Sequence, residues 1–200
     1  DLHRVDRRQR QMYIRDSLKR DQVLSIGAVV IDGGAIQLGE QFECTLQRDG
    51  HTVSASVLIH GLAPSAIAAG IEPAEALLAF MEFLGDSPLL AFHAGFDQRM
   101  LARALKDTLN LRLRHPFYDV AELAPMLCPQ AEIRNGGLDD WTAYFGLQVG
   151  QRHHASADAL VTAELALILF SRARKQQADS LKALEQRLKS WRQRLQGHSL

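Results

Sequence analysis

The sequence predicts an α/β domain, a mixed β-sheet with helices packed on its faces. Two observations lead to that expectation. An apolar, β-branched run from Val23 to Ile31 ends at Asp32-Gly33-Gly34, and a more alternating stretch follows from Gln37 to Leu46. This reads as two strands joined by a tight turn. Helical segments then alternate with short apolar runs, which indicates a layered fold rather than a helix bundle or an all-β sandwich. A chain of 200 residues suggests one domain with short appendages, large enough to bury a sizeable core.

The elements follow in order. The first sixteen residues read as a polar, Arg-rich segment whose expected regular form is a helix. Thr52 to Val57 reads as a third short strand. Pro73 opens a helix that runs to Leu84 and stops at Gly85, with Pro inside the start and Gly past the end. Leu89 to Phe92 is a short apolar strand. Asp97 stands where an N-cap should stand, ahead of a helix from Gln98 to Leu109. Phe117 to Val120 reads as another short strand. Gly136-Gly137 leads into an amphipathic helix closed by Gly146, and a long helix follows His154 to about Arg174. Over residues 176–196, Leu181, Leu184, Leu188, Trp191 and Leu195 recur at three-four-three-four spacing. That is an a/d seam, shorter than the ~3–4 heptads a self-sustained coiled coil needs. It fits a terminal helix packed on its own domain, or a docking or dimerising helix. The narrow seam and basic flanks favour the second. The expected organisation is a basic N-terminal segment (1–16), a central domain (17–172) and a C-terminal amphipathic helix (173–200).

The longest apolar run, Leu165 to Phe170, is far short of the ~20 residues of a membrane span. No charged start precedes an apolar stretch, so the expectation is a cytoplasmic protein without a membrane partner. Cys44 and Cys128 form no CxxC pair or Cys/His cluster, which argues against zinc and for buried free thiols. Net charge is zero, but it is unevenly spread. Residues 1–20 carry seven Lys/Arg and three Asp, and residues 172–194 carry eight Lys/Arg and two acids, leaving eight basic and eighteen acidic residues elsewhere. Basic ends around an acidic centre suit a protein that grips phosphates near a metal site, and equally suit solvated helix faces.

Two clusters could carry chemistry. In Leu89-Leu90-Ala91-Phe92-His93-Ala94-Gly95-Phe96-Asp97, a buried strand ends in a close turn that presents a carboxylate at a helix start. That Asp is either a metal ligand or an ordinary N-cap. In His153-His154-Ala155-Ser156-Ala157-Asp158-Ala159, a histidine before a helix and an aspartate in its first turns can share a cleft. The simpler reading is a surface His pair and an Asp that complements the helix dipole.

Together these clusters resemble the DnaQ-like (DEDDh) 3′–5′ exonuclease family, which includes the epsilon-type proofreading subunit of bacterial DNA polymerase III. The resemblance covers roughly Asp21 to Phe170. It rests on RDQVLSIGAVVIDGGAI, HGLAPSAIAAG, LLAFHAGFDQRML, YDVAEL and RHHASADALVTAELAL. It implies a ribonuclease H-like mixed β-sheet. It also implies two divalent ions, Mg²⁺ or Mn²⁺, held by four carboxylates and clamping the scissile phosphate. Asp97 and Asp158 would then be metal ligands. The His-x-Ala-x-x-Asp-Ala form selects His153 over His154 as general base. The implied reaction releases 5′-nucleotides from a DNA 3′ end, with RNA a close variant. The implied partners are nucleic acid and a polymerase or second copy bound through the C-terminal helix.

One departure matters. The family's first motif, Asp-x-Glu-Thr-x-Gly, should precede RDQVLSIGAV, yet at the usual spacing Arg10 and Met12 stand for the Asp and Glu. Asp16 is the nearest carboxylate. Three readings are open: residues are missing before about Ser17, Gln11–Arg15 is a degenerate strand in a catalytically dead protein, or the alignment is wrong. His93 also replaces the more usual Asn. Three functions follow: a metal-dependent exonuclease, a catalytically inactive exonuclease-like module that binds nucleic acid or a polymerase, and a scaffold acting through its C-terminal helix.

Overall fold

A computed structural model describes residues 9–17, 22–47, 64–148 and 155–197. Its centre is a five-stranded mixed sheet in the order β3-β2-β1-β4-β5. The strands are β1 (Gln9–Ser17), β2 (Gln22–Asp32), β3 (Ala35–Thr45), β4 (Leu89–Ala91) and β5 (Phe117–Asp119). The helices are α1 (Pro64–Ala68), α2 (Pro73–Leu84), α3 (Ala94–Leu109), α4 (Val120–Leu127), α5 (Leu138–Phe145), α6 (Ala155–Lys175) and α7 (Leu181–Gly197). The hairpin β2–β3 turns on Gly33 and Gly34, both at positive φ, a conformation glycine adopts without penalty. The ribonuclease H-like α/β expectation is met. The strand expected over Thr52 to Val57 lies outside the described residues.

The largest correction is at the N-terminus. Gln9–Ser17 is a strand, not a helix, and it lies in the middle of the sheet. It pairs antiparallel with β2, from Gln9 opposite Ile31 to Ser17 opposite Gln22. It also pairs parallel with β4 through Arg10–Leu89 and Gln11–Leu90, and the Arg10 amide donates to the Pro88 carbonyl at 3.0 Å. The inner edges of β2 and β4 carry backbone groups that only another strand can satisfy. That demand overrides the polar composition. The segment looked like a solvated arm because its long side chains are polar, yet Gln9 and Arg10 are both buried. Of the three readings of the N-terminus, the structure has the strand in place.

The sheet has a core on each face. On one, Met12, Ile26, Ala28 and Leu89 pack with Leu77 and Phe80 of α2 and Leu101 and Leu105 of α3. On the other, Val29, Ile31, Leu90 and Phe92 pack with α4, α5, α6 and α7 through Leu123, Trp141, Leu165 and Leu188. Cys44 and Cys128 are free and buried, as expected, and burial pushes the Cys44 thiol up to about 11. No helix among the described residues is long and apolar enough to cross a membrane.

The C-terminal seam is the second correction. Leu184 and Leu188 are buried in the α4–α6 core, and Leu181 and Trp191 pack against it. Only Leu195, 51% exposed, is left over. Arg192 Nε donates to Glu122 Oε1 of α4 at 2.9 Å, and Nη2 donates to Oε2, a two-pronged pairing that fixes the helix angle. The apolar stripe is spent on the helix's own domain, so it does not serve as a free docking face.

Candidate nuclease site

β1, β4 and β5 run parallel, so their carboxyl ends share one edge of the sheet. In open α/β sheets that edge gathers ligands, because the loops leaving it converge there. β4 leaves it through a close turn. His93 takes up φ 63° and α3 begins at Ala94. Asp97 therefore lies in the first turn of α3 rather than at its N-cap, and it is buried, at 4% exposure. The left-handed backbone explains why Asn suits position 93, and His is among the side chains that tolerate it. The His93 ring is exposed and packs edge-on to Phe92 at 4.8 Å.

A carboxylate given no role in the sequence reading holds that turn. Asp119, at the end of β5, accepts from the His93 amide at 3.0 Å and from the Ala121 amide at 2.9 Å. It therefore caps α4 and braces the turn that carries Asp97. Burial raises its pKa, opposed by these backbone hydrogen bonds. A raised carboxyl pKa in the folded state means the native protein binds the proton more tightly than the unfolded chain, so this contribution grows as pH falls from neutrality. Asp119→Asn keeps an acceptor and removes the titration. The stability of wild type relative to Asp119→Asn should therefore rise as pH falls from neutrality toward the carboxylate range. A pH-independent difference between their urea midpoints would contradict this. The tell-tale signal was Asp before a helix start in YDVAEL, but its bond to His93 crosses 26 residues and could not be read locally.

The second carboxylate comes from α6. Its N-terminus lies directly on β2 at Gly27, where a Cβ would stand 2.2 Å from the Ala155 carbonyl carbon. Asp158 follows within one turn on the same buried stripe, at 1% exposure, and its carbonyl accepts from Thr162 Oγ1 at 2.7 Å. Gly27 is opposite Tyr13 of β1, two residues past the Gln11–Leu90 pair, so the start of α6 is level with the carboxyl end of β4. The fold thus brings Asp97 and Asp158 to one edge from helices on opposite faces. His153 and His154 lie outside the described residues.

β1 separates the two helices and contributes no carboxylate from Gln9 to Arg15. Asp16 lies beyond a register shift, opposite Val23. Arg10 donates from Nε to the Phe83 carbonyl at 2.9 Å and lies over the Phe83 ring at 4.5 Å. Met12 is wholly buried among α2 and α3 side chains. Asp97 and Asp158 are hard oxygen donors suited to Mg²⁺ or Mn²⁺, but they are half of a four-carboxylate set. Among the described residues no three His, Cys, Asp or Glu side chains converge as a metal-holding group. Among the described residues, those present do not fit a two-ion centre.

The exonuclease family profile of the RNase T type matches residues 14–166. The chain belongs to that family. The match begins beyond Arg10 and Met12, and it bears out the resemblance to DnaQ-like exonucleases. A PolC-type DNA polymerase III from Thermotoga maritima is 31% identical over 147 residues, covering 74% of this chain and 10% of the polymerase. The chain thus spans about a tenth of such relatives. Among solved structures, exonuclease I superposes with a TM-score of 0.72 at 15% identity, covering 84% of this chain and 42% of that one. Exonuclease X, in complex with 5′-overhanging duplex DNA, gives 0.66 at 17% identity, covering 82% and 91%. At such identities the superpositions speak for the fold alone.

Proposed function

We propose that this exonuclease-family domain binds nucleic acid at its carboxyl edge but does not run two-ion 3′–5′ hydrolysis. One observation carries the reading: β1 is a continuous central strand, paired on both sides, with no carboxylate along Gln9–Arg15. Two-ion chemistry needs ligands on both sides of the scissile phosphate to neutralise the attacking and leaving oxygens. Asp97 and Asp158 supply only part of that set. The family relationship to polymerase chains makes a replicative polymerase the proposed assembly partner.

A second reading, a 3′–5′ exonuclease releasing 5′-nucleotides from DNA with His153 as general base, draws on the burial of Asp97 and Asp158. Burying carboxylates is costly, and two of them sit at this edge. A 5′-labelled oligonucleotide, deoxy and ribo in turn, separates the readings in Mg²⁺ or Mn²⁺. The expected result is salt-sensitive binding with no shortening of either strand. A ladder of shortened products, abolished by Asp97→Ala or Asp158→Ala, would establish the exonuclease instead. No binding even at low salt would overturn both.

A further inference from the structure

We infer that the outward face of α7 is a phosphate-tracking surface that leads a nucleic-acid strand to the carboxyl edge of the sheet. The inference rests on the nucleic-acid-binding reading above and names the part of the chain that supplies the grip. α7 lies beyond residues 14–166, the span that the family profile matches, so nothing in that match accounts for it. Its course is fixed by hydrogen bonds. α4 and α6 start at the carboxyl edge and run away from it, and the Gln176 side chain, just past the end of α6, donates to the Leu127 carbonyl at the end of α4 at 2.9 Å. α7 then turns back. Arg187 donates to the Gln176 carbonyl at 3.1 Å, and Arg192 pairs with Glu122 in the first turn of α4. The last turn of α7 is therefore level with the start of α4, at the edge where Asp97 and Asp158 lie.

Leu184 and Leu188 mark the buried side of α7. On the outward side Lys182, Gln186, Lys189, Gln193 and Gln196 are all exposed, and helical spacing puts them within about 40° of one line that rises about 21 Å toward the edge. Each offers hydrogen-bond donors, two are cations, and no carboxylate lies on the line. Glu185 stands beside it and pairs with Lys189 at 2.9 Å, an exposed pair that contributes little in water and that a phosphate can replace. Residues 21–171 carry eight basic and eighteen acidic residues, so attraction for a polyanion must come from outside them. Residues 172–194, with eight basic and two acidic, supply it. Such a line grips backbone oxygens, so binding should be indifferent to sequence.

The test is fluorescence anisotropy of a labelled single-stranded oligonucleotide of mixed sequence, titrated at several salt concentrations with the full chain. Lys182→Gln/Lys189→Gln removes two charges from the line and keeps its helix-forming side chains. Arg112→Gln/Arg114→Gln removes two charges from the exposed loop that enters β5 at the opposite edge. The α7 pair should lower affinity about ten-fold at low salt and flatten the salt slope by about 1.4, two phosphate contacts at ~0.7 each. The loop pair should leave the slope as in wild type. An unchanged slope in the α7 pair would overturn the inference and leave the functional reading standing. Equal losses in both pairs would also overturn it, because affinity would then follow net charge rather than this helix. Loss of polyglutamate binding with oligonucleotide binding intact would assign the face to an acidic protein instead. No binding by wild type would sink the functional reading and this one together, whereas strand shortening by wild type would sink only the non-hydrolytic reading.

Discussion

Arg10→Asp/Met12→Glu, which writes the family's first motif at its usual sequence spacing, should leave the chain largely unfolded at neutral pH. Met12 is fully buried among Leu77, Phe80, Leu101 and Leu105. A glutamate there must either lose its hydration or take up a proton, and an unpaired buried charge costs about 3–5 kcal/mol. At position 10 the Phe83 carbonyl loses its donor and the Phe83 ring its guanidinium, while a second carboxylate enters the same face. A domain of this kind has roughly 5–15 kcal/mol in hand, so the two changes consume much of it. Urea unfolding followed by fluorescence of buried Trp141 reads the result. A midpoint within experimental error of wild type would mean that β1 can change phase, and would count against the register described above.

Gly27→Val should cost about 2–3 kcal/mol or more through overpacking and should weaken nucleic-acid binding at the same time. The atoms that a Cβ would meet are the Ala155 carbonyl carbon at 2.2 Å, its oxygen at 2.4 Å and the Ser156 nitrogen at 2.5 Å. All three are backbone, so no rotamer change relieves them, and α6 must back away and take Asp158 with it. Gly39→Ala is the control, because nothing lies within 4 Å of the added carbon there and only a small change is expected. If Gly27→Val bound nucleic acid as wild type does while losing stability, the start of α6 would have no part in binding.

These cases show what could be read from the chain. Gly27 sits in an apolar run that announced a strand, but that its bare face receives a helix start from 128 positions later (Ala155) is a long-range fact with no local sign. Asp97 and Asp158 were visible because each follows a compact stretch of small residues at a helix beginning. That one helix starts just past β4 and the other over Gly27 of β2 has no local sign. Asp119 was passed over because one of its partners, the His93 amide, belongs to a distant turn. β1 failed for a different reason. Sequence periodicity rewards alternation of apolar and polar residues, and a central strand that buries Gln9 and Arg10 beside Met12 shows none. The terminal helix displayed its stripe plainly, but a stripe says only that something covers it. Here α4 and α6 do so, and Arg192 to Glu122 settles the angle.

The place of β1 in the sheet also bears on how the chain is made. β1, β2 and β3 form a meander with short connections, and such local pairings assemble quickly. During synthesis all three are available once residues to Thr45 have emerged. The other side of β1 must wait for Leu89–Ala91 and for α1 and α2, which precede them. Until then a strand destined for the middle of the sheet is an open edge, the kind of surface that recruits other chains. Slow translation between β3 and β4 would lengthen that exposure. The polar side chains that disguised β1 in the sequence are well suited to keep the waiting edge from aggregating.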